Sequence, residues 1–76
     1  MLSLRADAQA LKNLAKELKE KKEWMSAIQM YTLAIHALEE KDADCYFSRA
    51  YCYQSIELFI NATEDLQSAC DLRPYP

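Results

Sequence analysis

The feature of this sequence that most limits its fold is a repeat at an interval of 35 residues. When the chain is shifted by 35, alanine falls on alanine at four places, and other apolar or aromatic residues coincide at five more. The alanine pairs are Ala8 with Ala43, Ala15 with Ala50, Ala27 with Ala62, and Ala34 with Ala69. The other pairs are Leu11 with Tyr46, Leu18 with Tyr53, Trp24 with Phe59, Tyr31 with Leu66, and Ile35 with Cys70. One exception is Leu14, which falls on Arg49. Such a register predicts two copies of one structural unit that stack on each other.

Each unit is predicted to be a pair of α-helices. From Trp24 onwards the apolar residues recur at steps of three and four, which traces one stripe on a helix. The chain has no glycine, and its two prolines lie among the last three residues, whereas β-proteins need glycine-bearing turns. We therefore expect an all-α fold, with two antiparallel helix hairpins stacked as a short right-handed superhelix. The first predicted helix begins near Ser3 or Leu4, with Ser3 as the N-cap; its apolar face ends at Leu18, and Lys19–Glu23 forms an exposed last turn and the connection. The other helices are predicted over about Trp24–Glu39, Ala43–Ile56 and Phe59–Leu72, where Pro74 stops the last one.

The stripes also predict which side chains are buried. The first helix is expected to pack through Leu4, Ala8, Leu11, Leu14, Ala15 and Leu18. The last helix is expected to expose an apolar face of Leu66, Ala69 and Leu72, because only two units are present. Cys45, Cys52 and Cys70 are expected to be reduced and to behave as small buried apolar residues.

Charge and composition argue against several classes of function. The net charge is −3, with about +1 on residues 1–41 and −4 on residues 42–76, so a nucleic-acid partner is not expected. No apolar run approaches 18 residues, and no secretory signal precedes the first charge, which favours a cytoplasmic protein without a membrane partner. The single histidine, His36, has no neighbour at metal-ligand or catalytic spacing. We expect neither an enzyme nor a cofactor.

The registered residues resemble the tetratricopeptide repeat (TPR), whose pattern of about 34 residues places L-G-x-x-Y before A-x-x-x-F and P. The first copy reads Leu11, Leu14-Ala15, Leu18, Trp24, Ala27, Tyr31 and Ala34, and the second reads Tyr46, Arg49-Ala50, Tyr53, Phe59, Ala62, Leu66, Ala69 and Pro74. The resemblance implies one TPR-like domain over 1–76, with repeats at about 8–41 and 43–76, cut from a longer protein. The first copy has Glu39 where the family has proline, and Lys22 and Glu57 stand in turns where glycine is common. A left-handed backbone at those turns would cost a few tenths to about 1 kcal/mol.

Helix geometry predicts a candidate site on the first and third helices. The faces next to their packing stripes carry Lys12, Lys16 and Lys19 on one helix and Phe47, Ser48 and Tyr51 on the other, flanked by Gln9, Asp44 and Gln54 or Ser55. Lysines could receive the carboxylates of a peptide, and the aromatic rings could hold its apolar side chains. On spacing alone, a solvated lysine face and aromatic residues that pack under a further repeat are the more common explanation.

The family resemblance favours a peptide site instead, because TPR domains are mostly protein-interaction modules. The second copy resembles repeats of heat-shock co-chaperones, which hold the acidic C-terminal tail of a chaperone in a carboxylate clamp. Lys12 matches the lysine of that clamp, whereas Lys16 and Ser48 stand where the family has asparagines. We therefore expect weak or altered clamp binding. The alternative function is self-association, as a homodimer or by helix swapping, through the apolar face of the last helix.

Overall fold

The computed structural model describes residues 4–38 and 40–73, and these are all-helical, with no strand among them. The four helices are α1 (Leu4–Glu20), α2 (Trp24–Ala37), α3 (Ala43–Ser55) and α4 (Phe59–Leu72). The all-α prediction is confirmed. Helix α1 ends at Glu20, within the predicted last turn, whereas α2 stops two residues before Glu39. Leu38 is extended, with φ −75° and ψ 132°, and this ends α2 early. The expected helix cap at Ser3, Glu39 and the stop at Pro74 lie outside the described residues.

The helices form two hairpins with α3 at the centre. Helix α1 packs against α2, and α3 packs against α4. Helix α3 also contacts both helices of the first hairpin, chiefly α2. Within the described ranges, the backbone of α4 approaches only α3, which makes α4 the outermost helix. The side of α4 that faces away from α3 therefore has no helix against it in this part of the chain.

The turns inside the two hairpins have the same geometry, 35 residues apart. Lys22 and Glu57 each have a φ of 63°, in the left-handed region that favours glycine. In the first turn the Lys22 amide donates to the Lys19 carbonyl, and the Glu23 amide donates to the Leu18 carbonyl. The corresponding bonds, 35 residues later, recur in the second turn. This pair of bonds is the left-handed C-cap that usually has glycine, so the left-handed conformation considered for these two turns is present in both.

The repeated alanines form the contact points between helices. In all eight alanines of the 35-residue register, 6% or less of the residue surface is exposed. Around them lies one core cluster, which consists of Ala15, Ala27, Ile28, Tyr31, Ala34, Cys45 and Cys52. Because alanine has only a methyl side chain, these positions let helices approach closely while larger neighbours interlock around them. The second hairpin thus buries its small residues at the same positions as the first.

Several burial predictions were wrong. Leu14 is 44% exposed and does not belong to the packing face of α1. Cys45 and Cys52 are fully buried, as expected, but Cys70 is exposed. Ile35, the counterpart of Cys70, packs against the core cluster, which shows that the same register position is covered in the first hairpin and open in the second.

The exposed apolar face of α4 is not where the sequence placed it. Ala69 is fully buried, and Leu66 is half-buried, because this stripe of α4 packs inward. Of the three predicted residues, only Leu72 is exposed. The exposed apolar side chains lie instead at the start of α4, where Leu58, Phe59 and Ile60 follow each other.

Arg49 links three helices from the position where the first copy has Leu14. Its Nε and Nη2 atoms donate to the two carboxylate oxygens of Asp65 on α4, each at 2.7 Å. Its Nη1 atom donates to the Thr32 hydroxyl on α2 at 3.0 Å. The guanidinium carbon lies 5.7 Å from the ring centre of Tyr46 and 5.8 Å from that of Tyr53. The exception in the repeat is therefore a part-buried, bidentate ion pair whose guanidinium lies between two tyrosine rings.

Candidate functional site

A depression of about 380 Å³ lies between α1 and α3. Its lining consists of Gln9, Lys12, Asn13, Lys16, Lys19, Tyr31, Asp44, Phe47 and Ser48. The two helices run in the same direction here, because Lys12 meets Asp42 at one end and Lys19 meets Ser48 further along. The volume is at the lower end of the range for ligand pockets, about 300–1,000 Å³.

The structure brings five of the six predicted site residues into this depression: Lys12, Lys16, Lys19, Phe47 and Ser48. The sixth, Tyr51, lies beside it and is 56% exposed. The Tyr51 ring meets the ring of Trp24 edge to face, with 5.7 Å between the centroids. The Lys19 ammonium lies 5.9 Å from the Tyr51 ring centre. Tyr51 therefore belongs to the rim next to Lys19 and not to the lining.

Lys12 is already paired within the chain. Its Nζ atom donates to Asp42 Oδ2 at 2.5 Å, and both side chains are about three-quarters buried. The other oxygen of Asp42 accepts the Asp44 amide at 2.9 Å and so caps the N-terminus of α3. The hydrogen bond to Asp42 raises the pKa of Lys12 despite the opposing effect of burial. Burial acts to raise the pKa of Asp42, but the bonds from Lys12 and the Asp44 amide hold it below its ordinary value.

Lys16 and Lys19 have no such partner. The Lys19 ammonium donates to the Ser48 hydroxyl at 3.4 Å, a neutral contact near the upper limit for a hydrogen bond. In the described part of the chain the ion pairs are Lys12 with Asp42, Arg49 with Asp65 and Arg73 with Asp44, so neither lysine has a carboxylate within 4.0 Å. Three residues apart on α1, their side chains share one face. The two ammonium groups thus form a cationic end of the depression without a counterion.

Tyr31 also lines the depression, although the sequence predicted it only as a core residue. Its side chain is only 2% exposed, yet it reaches the floor of the depression from α2. Burial raises the pKa of the Tyr31 phenol, while a hydrogen bond with Ser48 and the charge of Lys12 oppose that rise. The phenol therefore stays neutral at physiological pH and can donate or accept a hydrogen bond there. A tyrosine in a stripe of otherwise apolar residues was the signal available in the sequence.

Asn13 is the second lining residue that the sequence did not predict. It is exposed, and its side-chain oxygen accepts a hydrogen bond from Gln9 Nε2 at 3.1 Å. The sequence signal that could have indicated this role is its position next to Lys12.

Among the described residues, no three His, Cys, Asp or Glu side chains come together as a metal site would require. The depression thus offers cations, amides, two hydroxyl groups and one carboxylate, that of Asp44, which pairs with Arg73 at 3.5 Å.

Comparisons with known proteins add no relative: no family model, no curated protein and no solved structure matches the chain. No helix within residues 4–38 and 40–73 combines the length and the apolar character that crossing a membrane requires.

Proposed function

We propose that this chain is a TPR-like protein-interaction module, of the adaptor or co-chaperone type, that binds an extended acidic peptide in the depression between α1 and α3. One observation carries the proposal: this depression is lined by three lysines, of which Lys16 and Lys19 lack a carboxylate partner among the described residues. Lys19 is half-buried, and such a cation without a counterion gains more from an incoming carboxylate than one fully exposed to water does.

The shape of the site supports a peptide as its ligand. Lys12 and Lys19 are seven residues apart, which is about 10 Å along a helix. An extended peptide rises about 3.3 Å per residue, so about three residues fit beside this stretch. Half-buried Phe47 offers an apolar surface next to the lysines, and Ser48 and Tyr31 offer hydroxyl groups to the peptide backbone. Side-chain charge and backbone bonding can therefore act together.

The partner that best fits this chemistry is the acidic C-terminal tail of another protein, and the family resemblance makes a heat-shock chaperone the first candidate. The buried, reduced thiols of Cys45 and Cys52 suit a cytoplasmic setting. Burial raises the pKa of Cys45 to about 11, so this thiol stays protonated and unreactive at neutral pH. Lys16 and Ser48 replace the asparagines of the co-chaperone clamp, and this change makes the contact less directional. The role proposed here is binding, without catalysis.

A pair of matched peptides tests the proposal. The first peptide begins with a fluorescent label, followed by the four-residue linker Gly-Ser-Gly-Ser. It ends in four acidic residues, Glu-Asp-Glu-Asp, with a free C-terminal carboxylate. The second carries glutamine and asparagine at the same four places. We expect the acidic peptide to raise its fluorescence anisotropy with a Kd of about 0.1–1 mM at low salt, and the neutral peptide to bind at least tenfold more weakly. Equal binding of the two peptides, or no binding of either at millimolar protein, would refute the proposal.

Self-association is the second candidate function, and one observation favours it. Leu58, Phe59 and Ile60 form a consecutive exposed apolar segment, and Ile60 is 78% exposed. Outward-facing apolar side chains of this size often mark a contact surface. A second copy that covers this segment on each molecule would give a homodimer.

Light scattering across a dilution series tests this second candidate. A homodimer predicts a mass near 17.6 kDa, twice the 8.8 kDa of the chain, that falls on dilution. The variant Ile60→Lys should shift the mass towards that of the monomer, while Glu64→Lys, on an exposed position of the same helix, should not. A mass that stays at 8.8 kDa at every concentration would exclude self-association.

A further inference from the structure

The three lysines of the depression are not equivalent, and their surroundings differ in a way that decides which of them can hold an anion. Lys12 has a carboxylate at 2.5 Å from Asp42. Lys19 has only the Ser48 hydroxyl at 3.4 Å and the face of the Tyr51 ring. Lys16, one turn before Lys19, is exposed and bonds to no described side chain. Charge is therefore balanced at one end of the depression and unbalanced at the other.

We propose that the anion site of the depression is formed by Lys16 and Lys19 with the Ser48 hydroxyl, that it takes a carboxylate of the bound peptide, and that Lys12 is a structural cation outside this site. This inference rests on the proposed function and assigns its ligand contacts. It differs from the carboxylate clamp that the sequence resemblance implied, in which Lys12 is the central cation.

Lys12 is unsuited to the role because an incoming carboxylate would have to displace Asp42. That displacement would separate an ion pair that is about three-quarters buried and would also disturb the carboxylate that caps α3. The incoming carboxylate would only replace one that already pairs with Lys12, so the exchange gains little attraction. A carboxylate at Lys19 displaces nothing charged, since the Ser48 hydroxyl can turn and donate to the anion while Lys19 keeps its place.

The geometry also favours the Lys16–Lys19 end. Three-residue spacing places the two ammonium groups on one face, where both can reach the two oxygens of one carboxylate. The Tyr51 ring beside Lys19 stabilises the cation and excludes water from one side of it. Lys12 is about 10 Å along the helix axis from Lys19 but only about 6 Å from Lys16, and its charge is already offset by the Asp42 carboxylate. Its charge therefore adds little attraction at this end.

Charge-removing variants of the intact chain test the assignment with the labelled acidic peptide. Lys16→Gln/Lys19→Gln removes the proposed site. Lys12→Gln/Asp42→Asn removes the internal ion pair, keeps the net charge of the chain, and retains a good helix cap, because asparagine caps as well as aspartate. Lys21→Gln/Lys41→Gln removes two exposed lysines from outside the depression and serves as the matched charge control. Thermal unfolding of each variant verifies that it is folded.

The assignment predicts at least a tenfold loss of affinity for Lys16→Gln/Lys19→Gln, and a change below threefold for both other variants. It is overturned if Lys12→Gln/Asp42→Asn loses as much affinity as the first variant, or if the first variant binds like the parent. In those cases peptide binding itself still stands, whereas a parent chain that fails to prefer the acidic peptide refutes the proposed function as well.

The same titration separates the two sources of a carboxylate. A peptide with an amidated C-terminus that binds at least fivefold more weakly would identify the main-chain carboxylate as the group held by Lys16 and Lys19. Unchanged affinity of the amidated peptide would identify a glutamate or aspartate side chain. If the neutral peptide with a free C-terminus and the acidic peptide bind equally well to Lys16→Gln/Lys19→Gln and to the parent, no carboxylate is held there and the assignment is wrong.

Discussion

At the scale of single residues, Arg49 is the side chain that most distinguishes the second hairpin from the first. Its guanidinium bonds to both oxygens of Asp65, whose side chain is only 6% exposed, and to Thr32 on α2. The bonds to Asp65 raise the pKa of Arg49 against the effect of its burial. The first copy has Leu14 and Met30 at the equivalent positions, so the two hairpins use different side chains at one repeat position.

The residues of the first hairpin therefore provide control substitutions for measuring how much the Arg49–Asp65 ion pair stabilises the fold. We expect Arg49→Leu to lower the free energy of unfolding by about 3 kcal/mol, because it leaves the Asp65 carboxylate buried without a partner. The double variant Arg49→Leu/Asp65→Met, which copies the first hairpin, should recover most of that loss and come within about 1 kcal/mol of the parent. Urea unfolding measures both. Equal destabilisation of the single and the double variant would contradict this account of Asp65.

The two left-handed turns predict that glycine substitutions there stabilise the chain. Lys22 and Glu57 hold a φ of 63°, where a residue with a Cβ atom is strained and glycine is not. We expect Glu57→Gly to raise the free energy of unfolding by about 0.5–1 kcal/mol, and Lys22→Gly to do the same. Glu57→Ala is the control, since it removes the charge and keeps the strain, and it should give no gain. A thermal melt in which Glu57→Gly unfolds below the parent would contradict the turn geometry.

At the scale of the elements, equivalent residues of the two hairpins have different surroundings because only the first is covered. Trp24, at the start of α2, is half-buried and packs against the core and against Tyr51 of α3. Its register partner Phe59, at the start of α4, is 58% exposed. We expect Trp24→Ala to lower the free energy of unfolding by about 2–3 kcal/mol, less than a fully buried tryptophan would lose.

Phe59→Ala should lower the free energy of unfolding by less than about 0.5 kcal/mol, because an exposed side chain loses little packing. Chemical unfolding of both variants, followed by far-UV circular dichroism, measures the difference. Similar losses at the two positions would mean that α4 is covered as α2 is, as a dimer through Leu58, Phe59 and Ile60 would require.

The contact between α1 and the start of α3 predicts a pH dependence. Because the pKa of Asp42 is lowered in the folded chain, its contribution to stability is present above the ordinary carboxyl pKa of 3.8 and is lost as the pH falls through the lowered value. Because the pKa of Lys12 is raised, its contribution is present below 10.5 and is lost as the pH rises through the raised value. Both groups are partly exposed, so the pair contributes at most about 1 kcal/mol.

The variant Asp42→Asn isolates this contribution, since asparagine keeps the helix cap. The parent should exceed Asp42→Asn in unfolding free energy by up to about 1 kcal/mol at pH 7, and the two should converge near pH 2. Urea unfolding at pH 7, 4, 3 and 2 provides the comparison. A difference that stays constant over this range would show that Asp42 acts through its cap alone.

At the scale of the whole molecule, periodicity predicted the parts of the fold that depend on local geometry. The four helices, the two hairpins and the eight buried alanines follow from a spacing of three and four residues and a shift of 35. The sequence did not predict the exposure of Leu14 and Cys70, because exposure depends on which helix packs outside each face. It also missed the pairing of Arg49 with Asp65, because their 16-residue separation crosses from one helix to another.

The sequence predicted which side chains share the face of the candidate site, but not how they pair within the fold. Helix geometry places Lys12, Lys16 and Lys19 on one face whatever the rest of the chain does. The pairing of Lys12 was not predictable, because Asp42 lies in the connection between hairpins, whose path has no periodicity. The reach of Tyr31 to the floor of the depression depends on how closely α1 and α3 approach, which tertiary packing sets.

The proposed function requires that the depression between α1 and α3 holds an acidic peptide. The most direct test is a titration of the ¹⁵N-labelled chain with the peptide that ends in four acidic residues, followed by amide chemical shifts. We expect saturable shifts at Lys16, Lys19 and Ser48, smaller shifts at Lys12, and none at Ile60. Absence of shifts at Lys12, Lys16 and Ser48 at millimolar peptide, or shifts centred on the start of α4, would contradict the claim.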